Sequence, residues 1–600
     1  MAQHDAGGPH DAASGPSARP GRAPQAPAAA EDRPPHDPIP NGLAVLLGAL
    51  VLARGLYHLA YLGESEFAAA TFSDGRVYFE AARDILAHPP WGSEPFYLQG
   101  LYAYFVAAAL GAWPTPAAVM FAQLALAGLG LLAFFSAVAR VEGRRAAGWA
   151  TALALASPEL AFYENKFLSA ELGVAANAFV LLAGARYVVR PSPVRASWLG
   201  IAAGVGVLAR GNMALALPAV LWAVVRGSGP GRRGAAAAFV LAGAALALAP
   251  MMVRNAVVTG RPTVFPAHGG GTSFYIGNNP HSRGVWNTAG GLVTPDVARE
   301  RDVLAERLGV DPGAGDPAEA VGAALYRRAF EYARDDPLDF VALQLRKVYL
   351  LAGNDPLTQD YDWYGEQEMI GPILRWGLPF GVLLALGIVG ARHLAARARA
   401  RPAVGAFGIL LLGQAFAVAA ANVVFFTSSQ HRVPLVLPLA AAAGPLVAAL
   451  VRRRRPALGP HPRAWWGLGA AVALQAFVPR LPDRRPSAVH YFNLAVVRSQ
   501  LGLDRKALAA IDEALARRPD HPLIRLERVR LLYALHRWKD AEREGLRLAS
   551  DPTAPPFARD QARRIVAAAR LERALAAPAD ARGSRGHEEA PGAAAAGGGG

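Results

Sequence analysis

Asp74 stands in the stretch of this chain best equipped for chemistry, Phe72-Ser73-Asp74-Gly75-Arg76-Val77-Tyr78-Phe79-Glu80. A carboxylate at the head of a short helix can take the proton from an attacking hydroxyl. It can equally cap the helix 75–86, a structural use that stabilises by about 1 kcal/mol. Cations recur at the edges of apolar runs. Lys166 is one of only four lysines, Arg210 and Arg254 each stand where an apolar run stops, and Arg432 stands where one begins. Such groups can hold a phosphate or stabilise one as it departs. They can also pair with acids or snorkel to the headgroups. Glu164 is a second acid or a plain loop charge. Arg76 and Arg83 read as substrate-loop cations or as solvated helix-face pairs. His268, His281 and His431 have no metal-ligand spacing, and with no cysteine in the chain thiolate metal sites and disulfides are excluded.

The elements that must position these groups are mostly apolar. Of 600 residues 53% are hydrophobic and 18% charged, against about 25% charged in an average soluble protein. The apolar residues are clumped. A spanning helix needs about 20 of them, and runs occur near 42–62, 115–138, 146–162, 167–188, 196–209, 212–225, 234–253, 371–391, 403–426, 432–451 and 464–480. The expected fold is therefore an all-α polytopic membrane protein of about 11 transmembrane helices. The runs 196–209 and 212–225 are two short helices meeting around Arg210 or one long broken one. Arg54 falls inside the first run and reads as snorkelling outward. The aromatic segment 97–113, with Tyr97, Tyr102 and Tyr104, reads as interfacial.

A net charge of +15 would suggest nucleic-acid binding in a soluble protein. Here the arginines cluster between apolar runs, at 140–145, 186–195, 226–233, 392–401 and 452–455, as a topology signal would place them, so nucleic acid is rejected as a partner. The positive-inside rule then predicts a cytoplasmic N-terminus. It places 63–114, 254–370 and everything after 481 outside. Residues 1–38 and 576–600 read as disordered tails flanking a membrane domain at 39–480. The loop 254–370 is too long for a connector. It begins with Gly269-Gly270-Gly271 and Gly277-Asn278-Asn279-Pro280, glycines expected to allow tight turns. Its later segment 338–351 is amphipathic.

After Pro486 the pattern changes. Ala507 and Ala541 lie 34 residues apart, each within a similar set of small and aromatic residues. This spacing resembles the tetratricopeptide repeat, and 486–575 is read as two such units with a capping helix at 553–575.

The loop after the first apolar run also resembles the GT-C class of membrane glycosyltransferases. The likeness is to the bacterial branch of protein O-mannosyltransferases and lipid A aminoarabinose transferases. Asp74, Tyr78, Ala82 and Ile85 match a pattern like D-x-x-x-Y-x-x-x-A-x-x-I, with Gly75 where many relatives have Glu. Tyr163 to Glu171, Arg254-Asn255, Gly269 to Pro280, Asp336-Pro337 with Arg346-Lys347, and His431-Arg432-Val433-Pro434 resemble later elements in the same order. The resemblance implies transfer of a sugar from a polyprenyl-phosphate donor to an extracytoplasmic lipid, glycan or protein, in a bacterial inner membrane. It implies Asp74 and Glu164 as catalytic acids. Lys166, Arg210, Arg254 and Arg432 would hold the phosphate, and Arg76, Tyr78, Tyr97 and Tyr102 would line the substrate loop. No cofactor is certain, a divalent metal stays open, and the repeats offer a surface for a protein partner. A transporter or flippase would need inverted repeats. No second broken region matches the one near 210. A non-catalytic scaffold acting through the repeats is the remaining alternative.

Overall fold

The computed structural model describes residues 37–265, 270–289, 292, 300–310, 317–480 and 484–576. Nearly all of both expected tails, with Gly269 and His268, lies outside them. Every regular element among the described residues is helical. The first part of the bundle comprises α1 (Asn41–Glu64), α2 (Ser73–Ala87), α3 (Gly100–Ala112), α4 (Pro116–Glu142), α5 (Arg144–Leu155), α6 (Pro158–Glu164), α7 (Ala170–Val189), α8 (Pro193–Ala209), α9 (Leu217–Gly227) and α10 (Arg233–Thr259). The long loop carries α11 (Gly270–Gly277), α12 (Glu300–Leu308), α13 (Pro317–Asp335), α14 (Pro337–Leu351) and α15 (Trp363–Ile370). The chain returns through α16 (Phe380–Arg397), α17 (Pro402–Val424), α18 (Ser429–Arg432), α19 (Val436–Val451) and α20 (Pro462–Ala476).

Seven helical segments are long and apolar enough to cross a membrane: Asn41–Glu64, Pro116–Glu142, Ala170–Val189, Pro230–Thr259, Pro372–Arg397, Pro402–Val424 and Ser429–Val451. Each lies on an expected run. The run at 146–162 is broken instead. Ser157 caps a new helix, its Oγ accepting from Leu160 N at 3.4 Å, and Pro158 takes the first position, where its missing N–H costs nothing. The backbone then turns irregularly between Asn165 and Ser169, with residues 159–170 all buried. Non-helical backbone at such depth is tolerated only inside protein. The run near 464–480 forms a helix of 15 residues and the one at 97–113 a helix of 13. At 1.5 Å per residue both fall short of a bilayer core of about 30 Å.

Around Arg210 the two-helix alternative holds. Arg210 is extended (φ −148°, ψ 113°), ending α8 before a 3₁₀ turn at Gly211–Ala216 leads into α9. The body of α8 is locked against α10. A Cβ on Gly200 would lie 2.0 Å from the Val240 carbonyl oxygen and one on Gly243 2.3 Å from that of Ser197. Small residues let these backbones touch, which fixes where Arg210 emerges. Gly271 and Gly277, expected in tight turns, sit within α11. There they bring α11 against the backbones of Gly322 and Phe425.

The arginine clusters gather at one end of the bundle. Arg397 pairs with Glu142 at 2.8 Å, and Arg401 donates to the Val141 carbonyl at 2.7 Å. Arg452 pairs with Asp37 at 2.5 Å. Tyr187, next to Arg186, bonds Ser228 at 2.6 Å. The other end carries α2, the long loop and the C-terminal helices.

Those helices form two hairpins, α21 (Ala488–Gln500) with α22 (Asp504–Arg517) and α23 (Pro522–Ala534) with α24 (Trp538–Ala549), closed by α25 (Pro556–Leu575). Ala507 and Ala541 are fully buried at matching places. The two hairpin turns also match: Gly502 (φ 72°) and His536 (φ 59°), again 34 residues apart, both adopt the left-handed conformation. The apolar core of the first hairpin is continuous with that of the bundle, through Leu494, Ala495 and Ala507.

Candidate active site

Asp74 lies in the first turn of α2, half-buried, one residue inside the helix rather than at the cap position, which Phe72 occupies. Its neighbour Gly75 is pressed against the turn after α6. A Cβ there would stand 3.2 Å from both the carbonyl oxygen and the Cβ of Phe167. The site therefore has little room for a second acid beside Asp74. Ser73 points its Oγ at Asp360 Oδ1, 2.6 Å away, on the loop before α15. The other oxygen, Asp360 Oδ2, is buried without a hydrogen-bond partner among the described residues. Burial pushes the Asp360 carboxyl above its ordinary range, and the Ser73 hydroxyl offsets this only in part. The next residue, Tyr361, receives the Phe167 N–H at 3.3 Å and lies within the electrostatic reach of Asp74.

Arg210 faces this group. The charge of Asp74 acts on it, and the neutral phenols of Tyr78 and Tyr163 are also near. The side chain is 7% exposed. Yet among the described residues it makes one hydrogen bond, from Nη2 to the Gln430 carbonyl at 3.2 Å, and its buried Nε has no partner. A guanidinium has five N–H donors, and leaving them unanswered in the interior is costly.

The other expected site residues are placed differently. Glu164 is engaged by other partners, accepting from Arg54 Nε at 2.6 Å and facing His58 Nε2 at 3.0 Å. Arg54 is therefore buried and paired rather than snorkelling. Lys166 is fully buried. It meets Glu366 Oε2 at 2.6 Å, Asn165 Oδ1 at 2.5 Å and Tyr57 Oη at 3.5 Å, which accounts for all three ammonium hydrogens. Tyr61 lies 3.8 Å beneath it. Arg432, 0% exposed, forks onto Glu159 and donates to the carbonyls of Leu351 (3.2 Å), Gly353 (2.8 Å) and Asp355 (3.3 Å). Arg254 stacks 3.6 Å over Phe96 and donates to the carbonyls of Trp91 (2.9 Å) and Glu94 (2.5 Å), clamping the loop after α2. These three cations, expected as phosphate ligands, hold the scaffold with donors that are already engaged.

Of the substrate-loop residues, Tyr78 is buried, its hydroxyl 2.7 Å from Gln99 Oε1, and it meets Tyr102 edge-on at 4.6 Å. Tyr102 is fully buried and bonds Gln123. Tyr97 is half-buried in the loop before α3. Arg76 is exposed and pairs with Glu80 at 2.7 Å, the solvated helix-face alternative. The sequence reading missed Asp360, Tyr361 and Glu366. Asp360 and Tyr361 lie in a short polar stretch, Thr358 to Asp362, and nothing nearby in sequence marks Glu366. Among the described residues no group of three or more His, Asp or Glu is arranged to hold a metal ion.

Comparison with known proteins gives distant structural likenesses. No protein-family profile and no curated protein matches the chain. One solved structure is the Archaeoglobus fulgidus oligosaccharyltransferase tethered with an acceptor peptide (15% identity, TM-score 0.36, covering 72% of this chain and 54% of that one). Another is ArnT from Cupriavidus metallidurans in the apo state (18% identity, TM-score 0.33, 79% and 73%). A third is the same ArnT bound to undecaprenyl phosphate (16% identity, TM-score 0.32, 72% and 89%). The chain thus spans about half the length of the oligosaccharyltransferase it matches.

Proposed function

We propose that this protein is an integral membrane glycosyltransferase that moves a sugar from a polyprenyl-phosphate carrier to an extracytoplasmic acceptor with inversion. One observation carries the reading. A half-buried carboxylate, Asp74, lies within electrostatic reach of a buried guanidinium, Arg210, which makes one hydrogen bond and keeps a bare Nε among the described residues. Asp74 accepts the proton from the acceptor hydroxyl as its oxygen bonds to the anomeric carbon. The bond from that carbon to the phosphate oxygen breaks, and its electron pair leaves with the phosphate. Arg210 holds the departing anion, which also answers its free N–H groups. Asp360 fixes Ser73, and through it the start of α2. Lys166, Arg254 and Arg432 hold the walls of the site, and Glu164 acts from a neighbouring buried cluster.

The membrane is the bacterial plasma membrane, with the arginine-rich end of the bundle cytoplasmic and the Asp74 end outside, as the distribution of positive charge favours. The hairpins at 488–549 then lie outside, where they present a surface to a protein partner.

The test is a transfer assay with purified protein and defined polyprenyl-phosphate sugars, run with and without chelator. Asp74→Asn is expected to lower turnover by about 10²–10⁴-fold while the thermal transition stays near wild type. A folded Asp74→Asn protein with full transfer activity removes the centre of this reading. The chelator arm decides metal dependence.

A further inference from the structure

At the end of the bundle opposite Asp74, helices α4, α7 and α8 leave a groove of about 670 Å³. α7 packs closely against both α4 and α8 and forms its floor. Arg140 near the end of α4, Arg186 in the last turn of α7 and Arg195 in the first turn of α8 line its mouth. Above them the walls are apolar, with Phe179, Ile201 and Val205 among them, and no residue lining the groove is acidic. Neither Arg140 nor Arg186 has an ion-pair partner among the described residues, whereas nearby Arg397 and Arg401 both turn to Glu142. Trp198, 61% exposed, stands one turn above Arg195. Trp marks the headgroup level of a bilayer.

The dimensions suit one kind of ligand. From Arg195 to Val205 the helix rises about 15 Å, half of a hydrocarbon core of about 30 Å and so the depth of one leaflet. A volume of 670 Å³ falls within the roughly 300–1,000 Å³ of built small-molecule sites. Three cations at one end of a channel one leaflet deep, of which Arg195 also donates to the Arg190 carbonyl, match a negative headgroup with an acyl chain beneath it. Basic pockets between transmembrane helices bind anionic lipid headgroups in this way. We infer that this groove is a binding site for an anionic glycerophospholipid of the leaflet at the arginine-rich end, held apart from the site around Asp74.

The experiment uses the full chain, delipidated in detergent and titrated with phosphatidylglycerol, phosphatidylcholine or a polyprenyl phosphate, with bound lipid counted by native mass spectrometry. Phosphatidylglycerol is expected to bind saturably with at least tenfold preference over phosphatidylcholine. The triple variant Arg140→Gln, Arg186→Gln, Arg195→Gln is expected to weaken it about 100-fold, from roughly 1 kcal/mol per cation. Val205→Trp keeps every charge and fills the channel, so it should also displace the lipid. Circular dichroism and the thermal transition establish that each variant is folded. Equal binding of the two phospholipids, or a folded triple variant that binds as wild type, overturns the proposal. So does a folded Val205→Trp that retains full affinity, since the headgroup would then bind at a bare charged surface. Tighter binding of the polyprenyl phosphate than of phosphatidylglycerol overturns it too. None of these results bears on Asp74.

Discussion

Two buried arginines stand near the same end of this bundle, and the protein treats them in opposite ways. Arg432 has acceptors at all three nitrogens, with Glu159 forked against it and three backbone carbonyls around it. Arg210, almost as buried, has a single carbonyl and a bare Nε. Burying a charge is tolerated when its donors are satisfied. Arg432 is therefore a strut, and Arg210 is the cation proposed to receive the phosphate. Their burial and distance from helix ends would not separate them. The count of answered N–H groups does.

The comparison breaks most readily on stability. Arg432→Gln strands Glu159 in the interior and is expected to cost about 3–5 kcal/mol, read as a large fall in thermal midpoint or failure to accumulate in membranes. Arg210→Gln removes a charge with few partners. It should leave the thermal midpoint close to wild type while lowering turnover about 10²–10³-fold. If the two variants exchange these behaviours, the roles are reversed. A sharper version replaces both members of the closed pair. Arg432→Met with Glu159→Leu should be more stable than Arg432→Gln alone, because removing both charges leaves neither uncompensated. A smaller effect is expected at Ser73→Ala, which deletes the hydroxyl that holds Asp360. A net hydrogen bond to a charged group is worth about 1.5–3 kcal/mol, so turnover should fall about ten- to a hundredfold with little change in acceptor affinity.

The smallest effect is a dependence on acidity. Burial raises the Asp84 carboxyl, but bonds from Ser93, Glu94 and His88 outweigh this and leave it lowered to about 2 from 3.8. Its contribution is present above pH 4 and is lost as pH falls toward 2. Asp84→Asn should loosen the loop at 88–96 at neutral pH, measured as faster amide exchange there, and should flatten that acid-side loss.

Much of this was legible in the residues. Seven apolar runs became long helices, and Ala507 and Ala541, read as 34 residues apart, each lie in the second helix of a helical hairpin. Asp74 was singled out because Asp74, Tyr78, Ala82 and Ile85 match the pattern of the family that the loop resembles. The break in the run at 146–162 was also written locally, as Ser157-Pro158-Glu159-Leu160, but its apolar content outweighed that punctuation. What could not be read was partnership over distance. Glu164 and Lys166 sit two residues apart, yet the first turns to Arg54 and the second to Glu366. Nothing nearby in sequence distinguishes a buried lysine awaiting a phosphate from one already neutralised by a carboxylate 200 residues away. Asp360 was missed for the same reason, since its tie to Ser73 spans 287 residues.

The hairpins do not hang from the bundle as a detachable unit. Asn493 donates to the Asp360 carbonyl at 2.9 Å, Tyr491 meets Glu368 at 3.0 Å, and Arg498 pairs with Glu66 at 3.0 Å. Asp360 in turn grips the residue before Asp74. A truncation ending at residue 485 would therefore strip the cover from the very loop that sets the acid in place. An enzyme silenced by that cut would speak of a collapsed wall, and would say nothing of a lost recruit.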